Sequence, residues 1–441
     1  MKQAGLTIII VLASFFVCNV ALAQDTLNRQ VLTMQEVFKL AIENSPQLKV
    51  SAKNIDLAKQ QKEIVKLYQL PNVSTGLDYG YLSNADVWTP TFSKHEKGAI
   101  PHQFTQFSVS ATQLIFKGSE VRNNLLKASF EEQVAFLSQE NNEEDIKFLV
   151  AAKYLDIYRL INQRIVLVNN LLLAKRRLAN ILTMKKQGMV TENDVLRTKL
   201  SISDLELSIR RVDNNVTIAN KQLNLVTGLP DDHRLIPDSA LLQQEQQKKA
   251  LEEFRDIAFK ENHELKIAGQ ETKIAETNIK IYGSDRYPQI GLYSGSVLQR
   301  PFLYTLPSLD VFYNIWQVGV SVKYNISSIY QSPRKIRAGK IQLEQSKSRE
   351  TLVKDQLGVN VDAGFIKYNE AVDNLNTYRE DLGSARENYR IVEKKYYNQL
   401  SLLTDILDAS STKISAELKV TDAQIDVIYY YFQLLKTIGT I

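Results

Sequence analysis

Few residues in this chain have the types and spacing that catalysis or metal binding requires. The four histidines are His95, His102, His233 and His263. His263 and Glu264 begin the string of a zinc protease, but Ile267 stands where the second histidine must be. The only cysteine is Cys18, and the chain has no Gly-x-Ser-x-Gly motif and no phosphate-binding glycine loop. We therefore expect neither enzymatic activity nor a cofactor or metal site.

Asp405 and Asp408 form an acidic pair with a helical spacing. They are three residues apart and so lie on one face of a predicted helix. That helix belongs to a predicted coiled-coil hairpin, which offers no pocket for acid–base catalysis. The residue types alone leave two interpretations open. Either Asp405 caps a helix turn and Asp408 lies in solvent, or both contribute to a negatively charged surface.

The first 23 residues have the pattern of a secretory signal. Lys2 gives the positive start, Leu6–Val17 the apolar centre, and Ala21-Leu22-Ala23 a small-residue cleavage site. Cys18 follows Phe16-Val17, which are not the small residues of a lipoprotein signal. We expect an exported mature protein without a lipid anchor or a disulfide, which packing or assembly must stabilise.

The charge of the chain does not indicate nucleic-acid binding. The net charge is +5 over 441 residues, and no basic cluster is interleaved with aromatic side chains. One basic stretch comprises Lys175, Arg176, Arg177, Lys185 and Lys186. We interpret these side chains as a solvated helix face. A second interpretation is that they steer an acidic partner.

A very long helix must position the basic stretch. The stretch Ser119–Gln187 contains neither Gly nor Pro. At about 1.5 Å per residue it would be about 100 Å long, so other helices must run beside it. After Gly188, apolar residues alternate in steps of three and four, which is typical of a coiled-coil seam. They are Ile202, Leu205, Ile209, Val212, Val216, Ala219, Leu223 and Val226. We predict an antiparallel hairpin with its turn near Gly188 to Asp194.

Apolar and polar residues alternate with period two in four places, as they do in strands with one polar face. Before the long helix these are 73–81 and 107–112, separated by a polar loop. In the second half a strand opens at Ile290, and 316–326 gives the clearest alternation. A break at Ser327–Pro333 precedes helical sequence that continues to the end of the chain.

The second half of the chain repeats the first. The matching pairs, each 217 residues apart, are Ala41 and Ala258, Leu48 and Leu265, and Pro71 and Pro288. Each half reads as helix, strand, loop, strand and long helical hairpin, and Thr33 with Glu36 predicts a capping box at the first helix. We predict a signal at 1–23, repeats over 24–228 and 251–441, and a linker or equatorial segment at 229–250.

Four strands cannot close a membrane-spanning barrel, because such barrels need about eight or more. Left alone, the sheet would expose unpaired edges. We therefore expect several copies of the chain to close one barrel, with the long helices forming a tube that continues it. We therefore predict an α+β membrane protein that serves as a conduit across the periplasm.

The chain resembles the TolC-like family of outer-membrane efflux proteins over nearly its whole mature length. The markers of the resemblance are Ala41…Asn44…Pro46…Leu48, Leu70-Pro71, Tyr287-Pro288, Gly188-Met189-Val190-Thr191…Asp194-Val195-Leu196 and Leu400-Ser401…Asp405-Ile406-Leu407-Asp408-Ala409. The resemblance implies a homotrimer with a 12-stranded barrel in outer-membrane lipid and a periplasmic helical tunnel. It also implies two partners: a periplasmic adaptor and an inner-membrane pump of the resistance-nodulation-division, ATP-binding-cassette or major-facilitator type.

The resemblance also implies roles for residues near the two hairpin turns. Asp405 and Asp408 would face the pore axis and form stacked acidic rings at its periplasmic constriction. Tyr396 would hold the turns closed by a hydrogen bond to the neighbouring hairpin, with Asp194 as its partner. Ser401 stands where well-known members carry an arginine, which weakens the second gate contact. The residues expected at the adaptor-docking tips are Gly188, Val190, Thr191, Leu400 and Ser401.

We expect the chain to export drugs or other toxic small molecules as part of a tripartite pump. One alternative is a channel for type I protein secretion. Another is a periplasmic adaptor or purely structural coiled-coil protein, although adaptors usually carry one helical hairpin and this sequence predicts two.

Overall fold

The computed structural model describes residues 29–238 and 249–441. The predicted signal, with Cys18, lies outside the described residues. The helices are α1 Met34–Asn44, α2 Pro46–Leu67, α3 Glu120–Lys186, α4 Glu192–Thr227, α5 Leu251–Glu261, α6 His263–Ser284, α7 Ser328–Tyr397 and α8 Leu403–Ile438. None of these helices combines the length and the apolar character needed to cross a membrane.

The strands form one larger sheet and two small ones. They are β1 Arg29–Leu32, β2 Asn72–Tyr81, β3 Ala85–Trp88, β4 His95–Gly98, β5 Gln103–Phe116, β6 Arg234–Pro237, β7 Gln289–Arg300 and β8 Tyr313–Lys323. The larger sheet has the order β2-β5-β7-β8, and all of its neighbours are antiparallel. The four predicted strands are therefore confirmed, and they pair in a single sheet whose edges are β2 and β8.

The chain divides into two compact units. The sheet unit comprises Asn54–Phe136 and Ile267–Thr351. The helix unit comprises the described residues up to Lys53, those within Leu137–Lys266, and Leu352–Ile441. The larger sheet lies in the first unit, and both hairpin turns lie in the second.

The internal repeat is visible in the lengths of the helices. Helices α1 and α5 have 11 residues each, and α2 and α6 have 22 each. Helices α4 and α8 both have 36 residues. The bounds of α5 and α6 equal those of α1 and α2 plus the predicted offset of 217. The capping box also forms as predicted, because the Glu36 carboxylate accepts the backbone N–H of Thr33 at 2.8 Å.

One predicted boundary of the fold is wrong, and two pairings of short strands were not predicted. The predicted break at Ser327–Pro333 is wrong, since α7 begins at Ser328 and includes Pro333 near its start. Pro333 is the sixth residue of α7, so the helix continues although the proline cannot donate a hydrogen bond to the carbonyl oxygen of Ile329. The loop after β2 contains the β3–β4 hairpin, and β6 pairs in parallel with β1. These strands have only four residues each, too few to establish a period.

The core of the helix unit is built on the middle of α3. Val150, Tyr154 and Ile157 have no exposed surface and pack with residues of α1, α4, β6 and α8. The Tyr154 hydroxyl donates to the Leu32 carbonyl oxygen at 2.8 Å and accepts the Asp238 N–H at 2.7 Å. The α3–α4 seam continues with Ile202, Leu205 and Val212, as the three–four spacing predicts. Packing of these residues fixes α4 against α3 and so positions the first hairpin turn.

Candidate gate and docking surface at the hairpin turns

The two hairpins turn at equivalent positions with the same backbone conformation. Gly188 has φ +74°, and its counterpart in the second repeat, Gln399, has φ +61°. This left-handed region costs a glycine little and a glutamine more. A side chain at 188 would meet nothing within 4 Å, so only the backbone conformation calls for glycine there. The two turns therefore differ in residue type and not in this backbone conformation.

An apolar cluster packs the two turns together. Its buried members come from α3, α4, α7 and α8, and they are Ile181, Val195, Tyr389, Tyr396, Leu403, Ile406 and Ala409. Val190 packs against this cluster and is only half-exposed. The expected docking residue Val190 therefore also supports the first turn from within.

Both helices that leave the turns are capped by an aspartate at their third position. The Asp194 carboxylate accepts the backbone N–H and the hydroxyl of Thr191 at 2.8 and 2.9 Å. The Asp405 carboxylate accepts the backbone N–H of Leu402 at 2.9 Å. A carboxylate in the first turn also interacts favourably with the helix dipole. Thr191, Asp194 and Asp405 thus have structural roles in the helix starts.

Asp405 and Asp408 are both exposed on the first two turns of α8. Asp405 fits both interpretations left open by the sequence. One of its carboxylate oxygens caps α8, and the carboxylate is still exposed at the surface. Asp408 has no hydrogen bond or ion pair within the described chain. Their placement on a pore axis stays a prediction.

Tyr396 lies close to Asp194 without a hydrogen bond between them. The tyrosine is 5% exposed, and its hydroxyl has no hydrogen-bond partner among the described residues. Burial raises the pKa of Tyr396, and the nearby charge of Asp194 raises it further. The hydroxyl therefore stays protonated as a donor, while Asp194 is engaged by Thr191. The gate contact remains a proposal that requires Asp194 to accept one more hydrogen bond.

Arg177 lies in the interior, so its interpretation as part of a solvated face is wrong. It is 3% exposed, and its Nη2 donates to the Tyr389 hydroxyl at 2.9 Å and to Ser410 Oγ at 3.3 Å. The Tyr389 hydroxyl in turn donates to Glu393 at 2.6 Å. Burial and this bond to Glu393 raise the pKa of Tyr389 to about 12. We call Arg177, Tyr389, Glu393 and Ser410 the arginine cluster, which joins α3 to α7 and α8 next to the turns.

The spacing of buried residues along α3 indicates that Arg177 is buried, although its charge suggests exposure. Leu167, Asn170, Ala174, Arg177 and Ile181 are all buried, at steps of three and four along α3. Arg177 therefore occupies the coiled-coil seam, where an apolar residue is the ordinary choice. Reading the seam by position would have placed the arginine inside.

Polar pairs also connect α3 to α8 further from the turns. Asn170 Nδ2 donates to Glu417 at 2.8 Å, and Glu417 also lies near Lys413 and Arg386. The two pairs beyond it are Gln163–Asp422 at 2.7 Å and Arg159–Asp426 at 2.8 Å. These partners lie 259 and 267 residues apart, so no local sequence pattern could have joined them.

The remaining expected docking residues differ in exposure. Leu400 is 74% exposed and its neighbour Leu402 is 71% exposed, so the second turn presents two apolar side chains to solvent. Ser401 Oγ donates to the Val392 carbonyl oxygen at 3.5 Å, a weak contact inside its own hairpin. Gly188 and Thr191 are at the surface.

His263 contacts two carboxylates in a geometry unsuited to a metal. Its Nδ1 lies 3.4 Å from Glu140 and its Nε2 3.4 Å from Glu144. The carboxylates approach opposite ring nitrogens, and one ion cannot bind both nitrogens of an imidazole. Over 29–238 and 249–441, no three His, Asp or Glu side chains are grouped as metal ligands.

Comparison with known proteins gives one consistent result. Residues 37–229 and 255–440 match the profile of the family described as outer membrane efflux protein. The outer membrane efflux protein BepC of Brucella suis biovar 1 is 23% identical over 337 residues, which cover 75% of this chain and 71% of BepC. Outer membrane protein TolC of Escherichia coli K12 is 21% identical over 436 residues, covering 93% of this chain and 83% of TolC.

A solved structure shares the fold. The crystal structure of the outer membrane protein VceC of Vibrio cholerae superposes with a TM-score of 0.76 at 11% identity. The match covers 92% of this chain and 96% of VceC. The likeness confirms the fold class expected from the sequence: two repeats, four long strands and two long helical hairpins.

Proposed function

Because this chain belongs to the outer membrane efflux protein family, and is an outer-membrane protein, we propose that three copies of it form a channel that exports toxic small molecules. The proposed channel is one part of a tripartite pump with a periplasmic adaptor and an inner-membrane transporter. The observation that carries the proposal is the four-stranded sheet with an apolar face, whose edge strands β2 and β8 pair with no further strand of the described residues.

The apolar face fits the lipid of a membrane. The register places Leu77, Phe107 and Leu298 side by side on one face, and Leu77 is among the exposed side chains. The same face carries Trp316, Val318, Val320 and Val322 on β8, all of them exposed. The four strands have 10, 14, 12 and 11 residues, and a tilted spanning strand needs about 9–11.

Aromatic side chains lie near both ends of this face. Tyr79, Tyr81 and Trp316 are near one end, and Phe116 and Tyr287, 6.1 Å apart, are at the other. Aromatic residues favour the two boundaries of a membrane, where their apolar rings and polar edges meet lipid and water. We place the part of the sheet between these two groups of aromatic residues in the hydrocarbon of the outer membrane.

The free edges explain why several copies are needed. β2 and β8 run antiparallel to each other through the sheet, so β8 of one copy can pair with β2 of the next in the same antiparallel sense. Such head-to-tail pairing closes into a ring and removes every exposed edge. Three copies give 12 strands, and the family resemblance favours this number over two or four.

The turns supply the proposed periplasmic end. Asp405 and Asp408 are proposed to form acidic rings at the constriction, and Tyr396 with Asp194 and Ser401 to hold it closed. Gly188, Val190, Thr191, Leu400 and Ser401 are the proposed contacts of the adaptor. The exposed Leu400 supports this role, because an exposed leucine at a turn is a natural anchor for a partner.

The export of small molecules can be tested in cells. We expect cells without this chain to retain a fluorescent cationic dye such as ethidium, and the full chain to restore its export. Retention should rise several-fold, because the dye would lose its route through the outer membrane. Unchanged dye export together with the loss of a secreted protein from the medium would contradict small-molecule export and favour type I protein secretion.

A further inference from the structure

A groove with three cationic side chains lies just beyond one end of the apolar face of the larger sheet. It is formed by the start of α3 and the end of α6, and its volume is about 540 Å³. Arg122, Lys280 and Arg286 line it, together with Asn123 and Tyr287. Sites for small ligands usually have about 300–1,000 Å³, so the groove is large enough to hold a charged group. We call it the α3–α6 groove.

The three cations of the α3–α6 groove have no acidic partner. Arg122, Lys280 and Arg286 are exposed, and none of their side chains forms an ion pair or a hydrogen bond with a described residue. An arginine side chain is always charged in a protein, and an exposed lysine is charged at neutral pH. Three positive charges therefore meet in one groove with their hydrogen-bond donors free.

The carboxylates next to these cations are balanced by lysines. Three carboxylates lie within four residues of Arg122, Lys280 or Arg286 along the chain, and each forms an ion pair with a lysine outside this set of cations. The pairs are Glu120–Lys117, Glu276–Lys347 at 4.0 Å and Asp285–Lys335 at 2.7 Å. Since each negative charge faces a positive one, the groove keeps an excess of three positive charges.

The same end of the larger sheet is the basic end. The 12 residues that precede or follow each strand there are 60–71, 117–128, 277–288 and 324–335, and they contain nine lysines and arginines but three acidic residues. Their net charge of +6 exceeds the +5 of the whole chain. The connections at the other end, 82–102 and 301–312, contain two lysines and three acidic residues. Positive charge is thus concentrated at one end of the sheet.

The position of the α3–α6 groove suits the headgroup layer of a membrane. Tyr287 lines the groove, and its ring meets that of Phe116 on the apolar face edge-on, with the ring centroids 6.1 Å apart. Cations beside such an aromatic boundary lie at the depth of lipid headgroups. The groove also lies next to the inner strands β5 and β7, away from the edges β2 and β8 at which copies are proposed to pair.

We propose that the α3–α6 groove binds the phosphate of an anionic glycerophospholipid such as phosphatidylglycerol. In the orientation proposed above, this end of the sheet faces the periplasm, where the outer membrane has its phospholipid leaflet. Arg122 and Arg286 can each donate two parallel hydrogen bonds to a phosphate, and Lys280 adds a third charge. The acyl chains lie along the apolar face beyond Tyr287 and Phe116. This lipid contact goes beyond the proposed export and depends only on the proposed placement of the sheet in the membrane.

The test is native mass spectrometry of the full chain in detergent, titrated with phosphatidylglycerol or with phosphatidylcholine of the same acyl chains. Both lipids carry the phosphate, but in phosphatidylcholine a cationic headgroup balances it. We expect phosphatidylglycerol to bind at least about tenfold more tightly, because three basic side chains face one uncompensated negative charge. One tightly bound lipid per chain is expected. Inorganic phosphate at the same concentration should not displace the lipid, because it has no acyl chains.

A triple substitution assigns the preference to the groove. Arg122→Gln, Lys280→Gln and Arg286→Gln together should make the affinities for phosphatidylglycerol and phosphatidylcholine equal within about twofold. The three side chains are exposed, so their replacement leaves the packed interior intact. The melting temperature of the variant without lipid checks that it is folded.

The control variant removes the same number of arginines and lysines from the start of α7. It combines Arg334→Gln, Arg337→Gln and Lys340→Gln, all at exposed positions that do not line the groove. We expect its preference for phosphatidylglycerol to stay within about twofold of that of the unchanged chain, because exposed charges outside the site are screened.

Four results would overturn the proposal. The first two are equal binding of the two lipids to the unchanged chain and a preference that survives in the groove variant. The third is an equal loss in the control variant, which would indicate attraction to the basic end as a whole and no site. The fourth is displacement of the lipid by inorganic phosphate, which would assign the groove to free phosphate. Dye export measures the channel without added lipid, so failure of the proposed function is distinguishable from each of these.

Discussion

Replacing Arg177 by Met is expected to raise the equilibrium constant for local separation of the two hairpins about 100-fold. The substitution removes the bonds from Nη2 to Tyr389 at 2.9 Å and to Ser410 at 3.3 Å. Hydrogen bonds from a charged donor contribute about 1.5–3 kcal/mol each, so a loss of about 3 kcal/mol is reasonable. About 1.4 kcal/mol corresponds to a tenfold change in an equilibrium, which gives the factor of about 100.

The measurement for Arg177 is amide hydrogen exchange at the ends of α3 and α7. Exchange there should accelerate in Arg177→Met, because local opening becomes more frequent. Methionine has a similar length, so the effect reports the lost polar contacts more than a cavity. Arg176→Met is the matched control, since Arg176 is exposed and makes no ion pair with any described residue. Equal exchange in the two variants would show that the arginine cluster does not join the hairpins.

Removing the charges of Asp405 and Asp408 is expected to reduce cation selectivity strongly. Asparagine is the right replacement, because its side-chain oxygen can still accept the Leu402 N–H that caps α8. In three copies the double substitution would remove six negative charges from one constriction. We expect the cation-to-anion permeability ratio in planar bilayers to fall about threefold or more, with a larger effect at low salt.

Asp373 and Asp381 provide the control for the acidic rings. Both are exposed on α7, so changing them to Asn alters the total charge by the same amount away from the first turns of α8. Their double variant should keep the parent selectivity. If the two double variants change selectivity equally, the effect is one of net charge, and the acidic-ring proposal is wrong.

The larger elements were predictable because each repeats its signal over many residues. The absence of Gly and Pro over Ser119–Gln187 predicted α3, which extends over Glu120–Lys186. The period-two runs predicted β2, β5, β7 and β8, and the offset of 217 predicted α5 and α6. In contrast, β3, β4 and the β1–β6 pair were missed, because four residues are too few to show a period and their partners are set by tertiary structure.

The candidate site was less predictable, because it depends on contacts between distant parts of the chain. From its residue type we predicted that Arg177 lies in solvent. It is buried instead, because it contacts Tyr389, which is 212 residues away in the sequence. A sequence can show that Asp194 and Asp405 lie near helix starts, yet not that the Tyr396 hydroxyl has no hydrogen-bond partner among the described residues.

The most direct test of the account is disulfide formation between copies at the sheet edges. Leu77→Cys is combined in turn with Val318→Cys, Val320→Cys and Val322→Cys, which share its apolar face. Each copy then carries one cysteine on β2 and one on β8, so oxidation in outer membranes should give covalent dimers and trimers and nothing larger. Leu77→Cys with Gln317→Cys or Ser321→Cys, whose side chains point to the other face, should give none. Monomers in every combination, with no trimer under native conditions, would contradict the claim that three copies complete one barrel.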